Sequence, residues 1–336
     1  MKFAFAHMPT NVELSARLVE RAEALGFDQA WVPDQQLFLD PYVCLSVMAL
    51  RTSSIKLGVG VTNPFTRHPA ISARAISSVN EIAAGRAVLG IGAGNMKELV
   101  QPLHLDAGAV AAKCREAALI SRDLTKGGAV NFQGSYFQVE GIGFDVPPYG
   151  QVPVYLAGRG PKILEAAGEV GDGAIIGSLA SPAGLRYAIG RIRAGAEAAG
   201  RALTELDIVS WTTVHITDHV AEALDGLRVS IGHLMGGAPP EVLRILGFDD
   251  EFIPRLKAAY QSGGPKGAAP LVTDEAIGHF TLVGSPEMIA ERVAALAEIG
   301  VTQLSLLMPP GNTEDHASVL EAFCTKVRPQ LPAGVR

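Results

Sequence analysis

Thr62, Asn63 and Asn95 are hydrogen-bonding side chains that each close a short apolar run. Leu57 to Pro69 reads LGVGVTNPFTRHP, and Ala87 to Asn95 reads AVLGIGAGN. A strand-like segment stops at a proline in the first and at glycines in the second. His7, after MKFAFA, and Asp34-Gln35-Gln36, after QAWVP, stand in the same kind of place. The pattern implies several strands of one sheet opening their polar ends onto a common ligand. Of these groups only His7 and Asp34 can exchange a proton near neutrality. His7 is either a proton donor or substrate anchor, or a buried and satisfied histidine. Asp34 is either a proton carrier or a fixed acceptor for ring or backbone N–H groups. Gln35 and Asn95 add neutral donors that can steady developing negative charge.

Ala157-Gly158-Arg159-Gly160-Pro161-Lys162 ends another apolar run and starts a helix with proline at its first position. Converging backbone N–H groups, a helix N-terminus and the charge of Arg159 or Lys162 suit a phosphate. Gly177-Ser178 supplies a small neighbouring edge. The alternative is a glycine turn required by tight strand-to-helix packing. Gly90-Ile91-Gly92-Ala93-Gly94-Asn95 fails as a dinucleotide fingerprint, because G-x-G-x-x-G needs glycine at Asn95 or at Lys97. Close approach of backbone to a flat ring is the better reading of those glycines. His215 and His219 are four apart, but HITDH lacks the glutamate of a zinc motif, so no metal is expected. Neither a G-K-S/T phosphate loop nor a G-x-S-x-G elbow is present.

The elements that must position these groups alternate in type along the chain. Short apolar runs at 2–6, 29–33, 55–61, 87–91, 152–157, 173–176, 208–216 and 303–308 read as strands buried on both faces. Leu14, Leu18, Ala22 and Leu25 recur at helical spacing, and Ser285-Pro286-Glu287 is a helix start that leads to Gly300. Eight βα units closing on themselves predict an α/β fold of the (β/α)8 TIM-barrel type, with reactive groups at the C-terminal strand ends. The 336 residues form one such domain with a mainly helical insertion after the seventh strand, roughly 219–279. That insertion is either a lid over the mouth or an interface. Apolar residues make up 48% and charged residues 18%, which suits a buried core, and the net charge of −6 without a basic cluster argues against nucleic acid. Cys44, Cys114 and Cys324 form neither a disulfide framework nor a zinc knuckle. With no signal-peptide core and no membrane-length apolar span, a cytoplasmic location is expected.

Together, LGVGVTNPFTRHP, RAVLGIGAGN, AGRGPKILEAAGEVGDGAIIG and EIGVTQL resemble the luciferase-like flavin and deazaflavin oxidoreductases, especially the methylenetetrahydromethanopterin reductases. The resemblance implies coenzyme F420, or FMN in other branches, lying across the barrel mouth. It further implies a non-prolyl cis peptide at Gly60–Val61 behind the ring. Asp34, Thr62, Gly92 and Asn95 match positions that line the ring, and Ala157, Gly158, Gly177 and Ser178 match the phosphate cradle. Ala6 stands where the reductases carry a glutamate, Gln35 where the family commonly has histidine, and Asn95 where it has an acidic residue. The implied activity is F420-dependent hydride transfer to or from a small organic substrate. The alternatives are an FMN-dependent monooxygenase and a non-catalytic cofactor-binding barrel. A homodimer or homotetramer is the implied assembly.

Overall fold

A computed structural model describes residues 1–35, 37–94, 96–308 and 313–336. Gln36 and Asn95 of the sequence reading therefore lie outside the described residues. The chain runs β1 (Lys2–Ala6), α1 (Val12–Ala24), β2 (Gln29–Val32), α2 (Pro41–Arg51), β3 (Lys56–Thr62), α3 (Pro69–Ile82) and β4 (Ala87–Gly92). After α4 (Val110–Lys126) comes an antiparallel hairpin of β5 (Val130–Gln133) and β6 (Gln138–Ile142). Then follow β7 (Val154–Gly158), α5 (Pro161–Val170), β8 (Gly173–Gly177), α6 (Pro182–Ala198) and β9 (Asp207–Ile216). The next stretch is helical: α7 (Val220–Gly237), α8 (Pro240–Ile245), α9 (Phe252–Ala268) and α10 (Asp274–Phe280). The chain ends with β10 (Thr281–Gly284), α11 (Pro286–Ile299), β11 (Gln303–Leu307) and α12 (Thr313–Ala322).

Among the described residues eight parallel strands close a ring in the order β1-β2-β3-β4-β7-β8-β9-β11. This is the predicted barrel, and the stretch between Val220 and Phe280 is helical. The sequence reading missed two pieces, the β5–β6 hairpin and β10. β10 exists because β9 is ten residues long and overshoots the ring. Thr213 pairs with Leu307 of β11 on one edge and with Thr281 of β10 on the other, so β10 takes over where β8 stops at Trp211. The four residues TLVG are too short to read as a strand without that template.

Side chains alternate across the ring as a pleated strand requires. Ala4, Ala6, Trp31, Val88, Tyr155, Ile175, Val209 and Trp211 fill the barrel, and Phe3, Phe5 and most other strand residues pack outward on the helices. Trp31 lies 5.9 Å from Trp211 and 5.7 Å from Tyr155, ring centre to ring centre. The indoles fit because β3 gives up its inward side chains. A Cβ on Gly58 would lie 2.3 Å from the Trp31 ring, and one on Gly60 2.7 Å from Trp211. Outside, α11 is capped by Ser285 and ended by Gly300 in the left-handed region, as predicted. α1 buries Leu18 and Ala22, but Leu14 is exposed, because the core stripe begins only at Ser15 and Ala16. No helix among the described residues is long and apolar enough to cross a membrane.

The α5–α6 contact depends on glycine. A Cβ on Gly168 would lie 1.9 Å from the Ile192 carbonyl oxygen, and one on Gly195 1.9 Å from that of Glu165. Alanine is the better helix former, but here the clash outweighs propensity. Gly168→Ala and Gly195→Ala are expected to lower stability by about 1–3 kcal/mol each in urea denaturation. Gly190→Ala, on the open side of α6 with nothing within 4 Å, should raise it by up to about 1 kcal/mol. Equal effects at all three positions would contradict this packing.

Candidate functional site

β3 ends irregularly. Its register with β4 shifts between Val59 and Thr62, and the Gly60–Val61 peptide is cis. The space opposite the missing side chains of β4 belongs to this bend: a Cβ on Gly90 would lie 2.5 Å from the Val59 carbonyl oxygen, and one on Gly92 2.9 Å from Val61 Cγ2. These glycines admit the neighbouring strand. Beyond the bend, Asn63 Oδ1 accepts from the N–H groups of Phe65 and Thr66 and closes the turn. Its Nδ2 has no partner among the described residues, although Asn63 is only 1% exposed.

Thr62 Oγ1 donates to Asp34 Oδ2 at 2.8 Å, joining the ends of β2 and β3. Burial raises the Asp34 pKa above its ordinary value, while the Thr62 bond and the charge of Arg67 hold it down in part. On the far side of the mouth, Gly158 pairs with Ile176 and Gly177 with Trp211, so the ends of β7 and β8 lie side by side. Gly158 is needed for the turn itself, since a Cβ there would lie 2.3 Å from Ile163. Gly177 is different: nothing lies within 4 Å of its missing Cβ. Ser178 follows with φ at +51° and donates its N–H to the Trp211 carbonyl at 2.7 Å. Gly160 caps α5 without a side-chain bond, leaving that helix end to other acceptors. Burial pushes the Arg159 guanidinium down to about 10. The structure thus brings Ala157, Gly158, Arg159, Gly160, Gly177 and Ser178 to adjoining loops.

A cavity of about 950 Å³ opens between the β9 overshoot, the end of β11 and α7. Thr213, His215 and Thr217, alternate residues of β9 and its continuation, form one polar wall; His219, Glu222, Ser230 and His233 line the approach along α7. Leu227, Ile231, Leu234, Leu307 and Met308 form the apolar part, and Gln35 reaches the same space. Sequence reasoning weighed His215 and His219 only as metal ligands and missed Glu222 and His233. Alternation outward from Trp211 would have found Thr213 and His215, whereas the α7 residues depend on how the insertion folds back.

His7 does not reach this cavity. It continues the outward face of Phe3 and Phe5, and is only 2% exposed. Its Nε2 meets Ser15 Oγ at 2.8 Å, and its Nδ1 meets Nδ1 of His316 at 2.9 Å. The catalytic reading of His7 is therefore replaced by a structural one. Ala6, its neighbour, is the residue that points inward.

A closed parallel barrel with a polar-and-apolar cavity at its C-terminal mouth defines a (β/α)8-barrel enzyme. The chain belongs to the luciferase-like monooxygenase family, whose model matches residues 6–303. It is 36% identical to the 5,10-methylenetetrahydromethanopterin reductase of Archaeoglobus fulgidus over 98% of this chain and 100% of that one. Identity to the same-named reductase of Methanolobus tindarius is 34%, covering 94% of this chain and 97% of the relative. The coenzyme F420-dependent tetrahydromethanopterin reductase from Methanopyrus kandleri superposes with a TM-score of 0.86 at 28% identity, covering 98% and 99% of the two chains. An F420-dependent secondary alcohol dehydrogenase in complex with an F420–acetone adduct shares the fold, with a TM-score of 0.77 at 18% identity over 98% and 99% of the chains.

Burial, reinforced by His316, lowers the His7 pKa from 6.5 to about 4. The unfolded chain then takes up this proton first, so the neutral ring contributes stability above pH 6.5 that is lost as pH falls toward 4. The loss should be about 3 kcal/mol, read from urea midpoints across that window. His7→Gln should flatten this part of the profile; an unchanged slope would show that another group carries it.

Proposed function

We propose that this chain is a coenzyme F420-dependent oxidoreductase that passes a hydride between C5 of the deazaflavin and a small organic substrate in the β9–α7 cavity. The carrying observation is the kinship with F420-dependent reductases over nearly the whole chain, at a TM-score of 0.86. The residues present fit such a cofactor: Gly177 leaves open space near the start of α5, which has no side-chain cap, Arg159 brings a cation to the same loop, and Asn63 has an amide N–H with no partner among the described residues.

When bound, the deazaflavin supplies or accepts the hydride. The chain's own residues bind and orient. Ala157, Gly158, Arg159, Gly160, Gly177 and Ser178 hold the phosphate-bearing tail. The Gly60–Val61 bend, Thr62 and Gly92 would border the ring, with Asp34, fixed by Thr62, as an acceptor at its edge. Gln35 lines the cavity and donates to the substrate. α7 forms one wall of the cavity, and a hydride transfer at about 3–3.5 Å would require water to be excluded there. The chain works as one barrel domain with 219–279 as its roof.

It acts as a homodimer or homotetramer, supported by exposed Leu14, Val43, Leu50 and Ile71 on the neighbouring helices α1, α2 and α3. Cytoplasmic residence is supported by its three free thiols.

Parallel fluorescence titrations with coenzyme F420 and FMN test this reading. F420 should bind at least about tenfold tighter than FMN. Gly177→Leu, which fills the open side of the cradle, should weaken F420 by a further factor of about ten with no change in melting temperature. Tight FMN with no F420 binding would favour the monooxygenase reading, and binding of neither would sink both.

A further inference from the structure

Arg159 touches more than the cradle. It lies in the turn between β7 and α5, yet its Nη1 donates at 3.3 Å to the carbonyl of Leu234, 75 residues on, in the last turns of α7. The two segments meet at further points: a Cβ on Gly237 would lie 3.9 Å from Arg159 Nη2, and one on Gly160 3.8 Å from Pro239 Cγ. Leu234, with Ile231 and His233 before it, lines the substrate cavity. The other cation at this helix end is Lys257 of α9. Its Nζ donates to the carbonyls of Gly236, at 2.8 Å, and of Ala238.

Both cations suit the negative end of a helix, but they belong to different bodies. Lys257 fastens α7 to another part of the insertion, whereas Arg159 fastens it to the barrel. Among the described residues no carboxylate forms an ion pair with Arg159. A guanidinium has five N–H donors, and one bond to Leu234 leaves others for an anion.

Resting on the cofactor reading above, we infer that Arg159 is a positioning residue that ties the phosphate cradle to the cavity roof, so that cofactor binding fixes the α7 wall before substrate enters. The geometry gives the direction of the effect. An anion in the cradle draws the guanidinium toward the start of α5, and its Leu234 bond carries the end of α7 with it. By linkage, loosening α7 must weaken the cofactor by the same factor that the cofactor steadies α7. Lysine cannot replace this function, because one compact ammonium does not span two acceptors as a planar fork does.

Hydrogen exchange over 228–238, with and without saturating coenzyme F420, tests the tether. In the unmodified chain F420 should slow exchange there by about fivefold or more. At saturating F420, Arg159→Lys, which should bind it more weakly, should lose that slowing. Lys257→Gln, which loosens α7 without touching the cradle, should weaken F420 by about fivefold. If Arg159→Lys no longer binds F420, the Lys257→Gln affinity decides. Unchanged affinity in Lys257→Gln, or full slowing in Arg159→Lys, overturns the coupling. F420 binding to the unmodified chain without slowing at 228–238 overturns it too, yet leaves the cofactor reading standing. No F420 binding at all removes the cofactor reading, and the tether with it.

Discussion

Two indoles and a phenol share the inside of this barrel, and the strand beside them has to yield. Trp31 and Trp211 occupy the volume that inward side chains of β3 would otherwise fill, so β3 carries glycine at 58 and 60, while Tyr155 presses on Gly173 of β8. Much of the mouth follows from that exchange of bulk. β3 shifts register against β4 directly above the aromatic layer, and β4 then needs glycine at 90 and 92 to admit the shifted backbone. The bend delivers Thr62 to Asp34 and buries Asn63, whose amide N–H has no partner among the described residues. A closely packed floor and a shaped, polar rim are thus consequences of one another.

His7, Asp34 and Arg159 are withdrawn from water around this floor, and each is accommodated differently. Burial, with His316 beside it, keeps His7 neutral, and both its ring nitrogens find partners in Ser15 and His316. Asp34 keeps an acceptor bond from Thr62 and a nearby guanidinium, so burial raises its pKa only against resistance. Arg159 has neither a carboxylate nor full exposure, and it leans on the carbonyl end of α7. The first arrangement is complete within the protein, and the third leaves donor capacity that an anion can use.

The barrel was legible because strands buried on both faces read as apolar runs separated by capped helices, and those signals are local. β11 and α11 show this well, with Ser285, Pro286 and Gly300 marking boundaries that the structure keeps. β10 was not legible, since TLVG becomes a strand only against the exposed upper edge of β9. Pleat alternation was available for His7, as Phe3 and Phe5 already face the helices and Ala4 and Ala6 face the barrel. The polarity of a residue at a strand end does not say which way it points; the parity of its position does. Glycine was the ambiguous symbol. At 90 and 92 it marks a neighbouring strand, at 158 a tight turn, and at 177 open space, and only the neighbours in three dimensions separate these cases.

The two sides of the mouth have different origins, which bears on how one family member can differ from another. Asp34, Thr62, Gly158 and Ser178 stand at or just past the ends of β2, β3, β7 and β8, strands paired into the ring, with a register shift only between β3 and β4. The large cavity is instead lined by the part of β9 that has left the eight-strand ring and by α7. A change in 219–279 can therefore reshape the cavity without disturbing the floor. Hydride chemistry tolerates this, because it asks the protein for orientation and exclusion of water more than for a reactive side chain. Where the insertion must still register with the reacting face, a side chain that belongs to the barrel but bonds to the roof has an evident place, and Arg159 occupies it.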